Sequence, residues 1–222
     1  IRNIAWLVAW DGTRHVYLRG ADLAFAGGAV AFVGKGYDGP ADAEQDGSGL
    51  MVMPGLVNIH THATSEAMRK GVTDETRSPG FWHSSLYEHL PIFEPSDDEG
   101  RMACLKVSLG ELLLSGVTTV VDLSGPFDGW LDALADSGIR AVAAPFFRDA
   151  RWYTTDGHSL DYDWNLEAGK QGFERARRII DLAAQHPSGR LSGMLSPSQV
   201  DTCSEELLRD SHAWATERNL PW

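Results

Sequence analysis

The stretch that most constrains this chain runs from Leu50 to His62, reading Leu-Met-Val-Met-Pro-Gly-Leu-Val-Asn-Ile-His-Thr-His. An apolar run this continuous, broken by Pro54-Gly55 alone, predicts a strand buried on both faces, as the inner strands of parallel sheets are. Side chains two apart on a strand share a face, so His60 and His62 project together from its carboxyl end while Thr61 turns away. Two imidazoles so placed can close on one metal ion at about 2.0–2.1 Å each. The pair alone is not specific, because eight histidines in 222 residues yield roughly 0.25 His-x-His by chance, and a motif takes its meaning from context. That context is the tip of the first core strand of a parallel α/β barrel, the face on which such barrels build their sites.

A chain of 222 residues with 43% hydrophobic content can bury a real core. Its formal charge of -12 argues against nucleic acid or an anionic membrane as partner, since both need a basic footprint, and reads as a solvated acidic surface. Cys104 and Cys203 make no disulfide framework, which fits a reducing cytoplasm. No apolar run reaches the roughly 18 residues that span a bilayer. Ile1-Arg2-Asn3 does not open a signal peptide, and the missing initiator Met leads us to expect that residues precede it in the gene or were removed.

Residues 1–53 read as a small β unit, with strands over Ile4–Trp10, Val16–Arg19, Asp22–Ala26 and Ala29–Val33 separated by Asp11-Gly12 and Gly27-Gly28 turns. After His62 a long connection, Ala63–Pro95, carries Trp82, His83, Tyr87 and His89; a lid over a site and simple packing, including a subunit contact, are both open readings. Ser96-Asp97-Asp98-Glu99 reads as a capping box before a helix that ends at Gly116 and delivers a strand, Val117–Leu123. Asp122 and Ser124 at its end either face substrate or are hydrogen-bonded turn residues. A helix over Phe127–Ser137, a strand over Ile139–Phe147 and a long loop, Arg148–Trp164, follow. The loop's Trp152, Tyr153, Tyr162 and Trp164 suit either a pocket wall for a planar ligand or an oligomer contact. A helix over Glu167–Gln185, a strand over Leu191–Leu195, a capping box at Thr202 and Glu205 with its helix, and the start of a fifth strand at Leu220-Pro221-Trp222 complete the pass.

Pro54-Gly55-Leu56-Val57-Asn58-Ile59-His60-Thr61-His62, preceded by Asp46-Gly47-Ser48-Gly49, resembles the first barrel strand of the amidohydrolase superfamily, in its cytosine deaminase/chlorohydrolase-like branch. Gly110–Asp122 resembles that branch's second-strand segment, and Ser137-Gly138-Ile139-Arg140-Ala141 its lead into the third. The resemblance implies an α/β fold, a (β/α)8 TIM-like barrel whose N-terminal part is residues 54–222, preceded by the N-terminal portion of a small β-sandwich in residues 1–53. Four strand-helix units are countable, so the barrel is incomplete in this chain and the remainder is expected from a further C-terminal half or a second chain.

The same resemblance implies that His60 and His62 are metal ligands, with zinc first and iron second, and that the remaining ligands and the proton-shuttling Glu lie beyond Trp222. It implies a small-molecule substrate contacted by Arg69, Trp82 and Gln199, and a homo-oligomer. An ion held by histidines with one position open acidifies water to a pKa of about 7. The expected activity is hydrolysis of a C–N bond, foremost deamination of a small nitrogen heterocycle. The alternatives are an amide or urea hydrolase, a hydrolytic dehalogenase of a triazine-like ring, or a non-catalytic scaffold. Two departures matter: Pro197 is followed by Ser198 where many of the branch's deaminases have His, and no lysine lies on the fourth strand to bridge two ions, which implies a mononuclear site.

Overall fold

Short alternating runs and glycine turns make the first fifty residues into hairpins. In the computed structural model, which describes residues 1–70, 92–156 and 159–222, β1 (Trp6–Trp10) pairs antiparallel with β2 (His15–Leu18), with Leu7 opposite Leu18 and Trp10 opposite His15. β3 (Asp22–Ala26) and β4 (Ala29–Gly34) form a second hairpin. Its two-residue turn is Gly27-Gly28, both at positive φ (57° and 79°), the geometry that matches strand twist and that glycine adopts without strain. β5 (Met51–Val52) adds to β1 in parallel. Ile4, Leu7 and Ala21 are the buried centre of this unit, Ile1–Gly55.

The second compact unit, Leu56–Trp222, is built on a parallel sheet. β6 (Leu56–Thr61) is followed by a short helix, α1 (Glu66–Arg69), and α2 (Asp98–Leu114) leads into β7 (Val117–Asp122). Next come α3 (Trp130–Asp136), β8 (Arg140–Ala143) and β9 (Phe146–Phe147). A hairpin of β10 (Ala150–Tyr153) and β11 (Asp161–Trp164) precedes α4 (Leu166–Ala184), and β12 (Leu191–Gly193), β13 (Ser196–Pro197) and α5 (Glu205–Glu217) close the order. The strands lie β12-β8-β7-β6, all parallel, and β13 pairs in parallel with β9 beyond them. Sheet and helices bury two apolar layers, one of Leu105, Leu109, Val120, Trp130, Leu134 and Ile139, the other of Phe147, Phe173, Ile180, Leu195, Leu207 and Trp214.

Several expectations need correction. The run from Leu50 to His62 is two strands in two units: Pro54, which cannot donate to a ladder, and Gly55 interrupt it, so Met51-Val52 joins the first unit and Leu56–Thr61 the second. Nor is the second piece buried on both faces. Among the described residues β6 is an outer strand with one neighbour, β7, and leaves Val57 61% and Ile59 75% exposed. The expected third strand breaks at Ala144-Pro145, and the expected loop Arg148–Trp164 contains a hairpin in which Trp152 opposes Tyr162. The caps also shift. Asp97, not Ser96, caps α2 by accepting from Gly100 N–H at 2.8 Å, and Ser204, not Thr202, caps α5 by accepting from Leu207 N–H at 3.2 Å. Thr202 instead ends a single 3-10 turn, Val200–Thr202. At the far end Leu195 N–H donates to Pro221 O at 3.1 Å, so the last residues run beside the extension of β12.

Packing beneath the hairpin gives a signed prediction. Asp149 is buried and accepts from Ser204 N–H at 2.6 Å, while its backbone lies against α4, where a Cβ on Gly169 would overlap Asp149 Oδ1 and stand 3.2 Å from its Cα. Helix propensity alone favours Gly169→Ala by about 1 kcal/mol. Overpacking reverses the sign, and we expect Gly169→Ala to lower stability by about 1–3 kcal/mol in urea unfolding.

Candidate functional site

The strand period of two sets His60 and His62 on one side, and the structure brings their Nε2 atoms to 3.2 Å, the rings edge to face with centroids 5.1 Å apart. Two ligands at 2.0–2.1 Å from a tetrahedral ion are separated by about 3.3 Å, so this spacing suits a shared cation. The backbone carrying them is fixed locally. Asn58 Oδ1 accepts from His60 N–H at 2.9 Å, where the β6–β7 register shifts between Asn58 and Thr61. Glu66 Oε1, one turn along, accepts from His62 N–H at 3.3 Å.

The orientation of His62 comes from the neighbouring strand. Its Nδ1 lies 2.7 Å from the carbonyl oxygen of Leu123, an acceptor only, so Nδ1 carries the proton and the neutral ring presents a lone pair at Nε2. Ligating imidazoles are oriented in this way by the bond from their other nitrogen. Burial holds the imidazole below its ordinary pKa, with the Leu123 carbonyl opposing, and so favours the neutral, ligating form.

Beneath it lies Asp122, fully buried. Its Oδ1 accepts from Ala63 N–H at 3.0 Å and Ser124 Oγ–H at 2.6 Å, and its Oδ2 from Trp130 Nε1–H at 2.9 Å. Burial pushes the carboxyl pKa up and the three donors draw it back. Asp122 and Ser124 are thus hydrogen-bonded turn residues, the second of the two readings open to them.

Arg69 sits on α1 as an ion-pair partner of Glu94, and its Nε–H is buried without a partner among the described residues. Gln199 is turned inward on its own loop: Oε1 accepts from Ser198 Oγ–H at 2.6 Å and from Thr202 Oγ1–H at 3.3 Å. Trp82, with His83, Tyr87, His89 and His158, lies outside the described residues. Of the ring-rich hairpin, Trp152 Nε1–H and Tyr162 O–H both donate to Asp201 Oδ2, at 2.9 and 2.8 Å, which ties β10 and β11 to the 3-10 turn. Asp201, Trp130 and the Leu123 carbonyl were missed from sequence; a backbone carbonyl leaves no residue-type signal. Among the described residues no third His, Cys, Asp or Glu joins His60 and His62 in a cluster able to hold a metal. The pair fits two corners of a borderline-soft ion's coordination shell, zinc or iron, and leaves others to be filled.

The depressed His62 pKa has a stability consequence. Above the ordinary imidazole value of about 6.5 both folded and unfolded chains hold this ring neutral; below it the unfolded chain takes up the proton first. Stability of metal-free protein should therefore fall as pH drops from 7 to 5, and His62→Asn should flatten that slope in thermal unfolding.

With this geometry in place, comparison with known proteins identifies the surroundings. The amidohydrolase family model matches residues 51–222. The 5'-deoxyadenosine deaminase of Methanosarcina acetivorans is 27% identical over 193 residues, covering 86% of this chain and 40% of the relative. Among solved structures, an atrazine chlorohydrolase from Arthrobacter aurescens TC1 complexed with zinc superposes with TM-score 0.70 at 23% identity, over 98% of this chain and 50% of that one. An adenosine deaminase from Xanthomonas campestris with bound zinc gives 0.68 at 19%, over 98% and 47%. The chain spans half or less of the length of these proteins, and the agreement with the solved structures is one of fold. By the match across its second compact unit, this chain belongs to the amidohydrolase family.

Proposed function

We propose that this chain supplies the first two ligands, His60 and His62, of a mononuclear metal centre in a hydrolase that cleaves a C–N bond of a small nitrogen heterocycle, with deamination as the reaction. The observation that carries the proposal is the pair of Nε2 atoms 3.2 Å apart, one of them unprotonated because Nδ1 is held on the Leu123 carbonyl. When bound there, zinc or iron supplies Lewis acidity, which brings the pKa of a water to about 7. The chain's own contribution is to orient the imidazoles, keep His62 neutral by burial, and present a rim to substrate. Arg69, whose Nε–H has no partner among the described residues, is retained as a substrate-facing donor, and Trp152 and Tyr162 are taken as a wall suited to a flat ring. Trp82 is kept as a substrate contact in this reading. Gln199 would have to exchange its bonds to Ser198 and Thr202 for substrate.

The architecture proposed around the site is the N-terminal part of a (β/α)8 barrel, residues 54–222, following a β-sandwich portion in residues 1–53. Support comes from the parallel order β12-β8-β7-β6 and from neighbours of like fold twice as long. Further parallel strands, from the rest of the polypeptide or a second chain, would pair with β6 and cover Leu56, Val57 and Ile59. Among the described residues no helix is long and apolar enough to cross a membrane. Two free, buried cysteines suit the cytoplasmic placement we propose, and a homo-oligomer remains part of the proposal. A second reading, hydrolytic dehalogenation of a triazine-like ring, draws on the likeness to the atrazine chlorohydrolase.

Elemental analysis should find about one divalent ion per active site, and the His60→Ala, His62→Ala double variant should lose it along with turnover. Stoichiometric metal in the double variant would refute the assignment, while an intact protein free of metal would favour a scaffold. In a panel of aminated purines, pyrimidines and pterins, chlorotriazines and linear amides, ammonia release from a ring is the expected result. Halide release would select the second reading, and turnover of linear amides alone would refute both. Activity should not respond to bicarbonate, since Lys35, Lys70, Lys106 and Lys170 all lie off β12 and β13.

A further inference from the structure

We propose that Asp122 is a positioning residue for His62: its buried carboxylate, anchored on Trp130 in the core, fixes the chain just after His62 and so keeps that imidazole's Nε2 aimed at His60. Its consequence for metal rests on the reading of the two histidines as ligands; the orientation of the ring does not.

The regular β6–β7 ladder loses register between Asn58 and Thr61, immediately before the second histidine. From there three consecutive residues are held by three consecutive residues of the next strand's end. The His62 ring donates to Leu123 O at 2.7 Å, Ala63 N–H to Asp122 Oδ1 at 3.0 Å, and Thr64 N–H to Ser124 Oγ at 3.4 Å, with Ser124 Oγ–H passing on to Asp122 at 2.6 Å. Thr61 O closes the set from the other side by accepting from Leu123 N–H at 2.8 Å. Asp122 therefore accepts directly from Ala63 and is linked to Thr64 through Ser124, and both its oxygens are used.

A carboxylate is an acceptor only, and all three of its partners donate. An amide cannot replace it. Turned one way, its NH₂ meets Trp130 Nε1–H; turned the other, it meets the Ala63 and Ser124 donors. A buried charge is costly to keep, and here the three donors offset that cost. Trp130 is 1% exposed and packed in the apolar layer with Leu105 and Leu134, so the far end of the carboxylate's bond is immobile. Rigidity thus passes from the core through Trp130 and Asp122 to the backbone of Ala63 and the ring before it.

The test uses the intact protein and three variants. Asp122→Asn sets an NH₂ against an N–H donor at nearly constant volume, Trp130→Phe removes only the Nε1–H donor from a ring that stays apolar, and Ser211→Ala deletes a buried hydroxyl on α5 away from the site. The readouts are the His62 tautomer, from imidazole nitrogen shifts in metal-free protein, and zinc affinity by competition with a chromophoric chelator. We expect wild type to show a single Nδ1–H tautomer, and Asp122→Asn to show a mixture with zinc bound about 10–100-fold more weakly. Trp130→Phe should shift both readouts the same way by less, and Ser211→Ala should move neither even where its Tm falls as far. Wild-type tautomer and zinc affinity in folded Asp122→Asn would overturn the proposal. Should that variant not fold, an unchanged tautomer in Trp130→Phe overturns it instead. A wild type that binds no zinc would defeat the metal reading, while the tautomer still decides the role of Asp122.

Discussion

The bond from His62 Nδ1 to the Leu123 carbonyl links residues 61 positions apart, and the character of the site depends on it. Without it the two histidines would be strand-tip side chains free to choose tautomer and rotamer. With it, one lone pair is committed to the point where the other imidazole also looks. The carbonyl lies just past the end of β7, between Asp122 and Ser124, whose side chains accept from the Ala63 and Thr64 N–H groups. The helix that follows buries Trp130 on the same carboxylate. A site at the tip of one strand is thus built from the ends of two strands and the first turn of a helix, the division of labour expected where loops on a rigid parallel scaffold carry function.

The sheet's edge has the opposite character. β6 carries His60 and leads directly into His62, yet among the described residues it pairs with β7 alone, and three of its apolar side chains stand in solvent. In parallel sheets both faces and both neighbours of an inner strand are normally covered. The strand that leads into the histidine pair is therefore held on its β7 side, through the hydrogen bonds above, and open on its other side among the described residues. At the opposite edge, just past β12, Leu195 N–H donates to Pro221 O near the end of the chain.

Around the rim, acidic side chains do the organising. Asp201 collects the Trp152 and Tyr162 donors, Asp149 caps the approach to α5 and touches α4 at Gly169, and Asp122 serves the histidine loop. The formal charge of -12 is thus more than a solvated surface, since some of these carboxylates are internal fasteners.

Much of this was legible in the residues. Period-two geometry placed His60 and His62 together, apolar spacing and glycine stops found α2, α4 and α5 within a few residues, and the order of strands and helices implied a parallel sheet. These features are local: each depends on residues within a turn or a strand of one another. What only the tertiary structure decided is long-range. The division of Leu50–His62 between two units, the bareness of β6, the hairpin inside the ring-rich segment, the inward turn of Gln199 and the locking of His62 by Leu123 all depend on which segment passes beside which. A backbone carbonyl has no signature in composition, and a strand reads the same at the centre of a sheet as at its edge. Sequence by itself therefore determined which side chains can share a site, and the fold determined the tautomer and aim of His62, because both are set by a carbonyl that only folding brings within 3 Å.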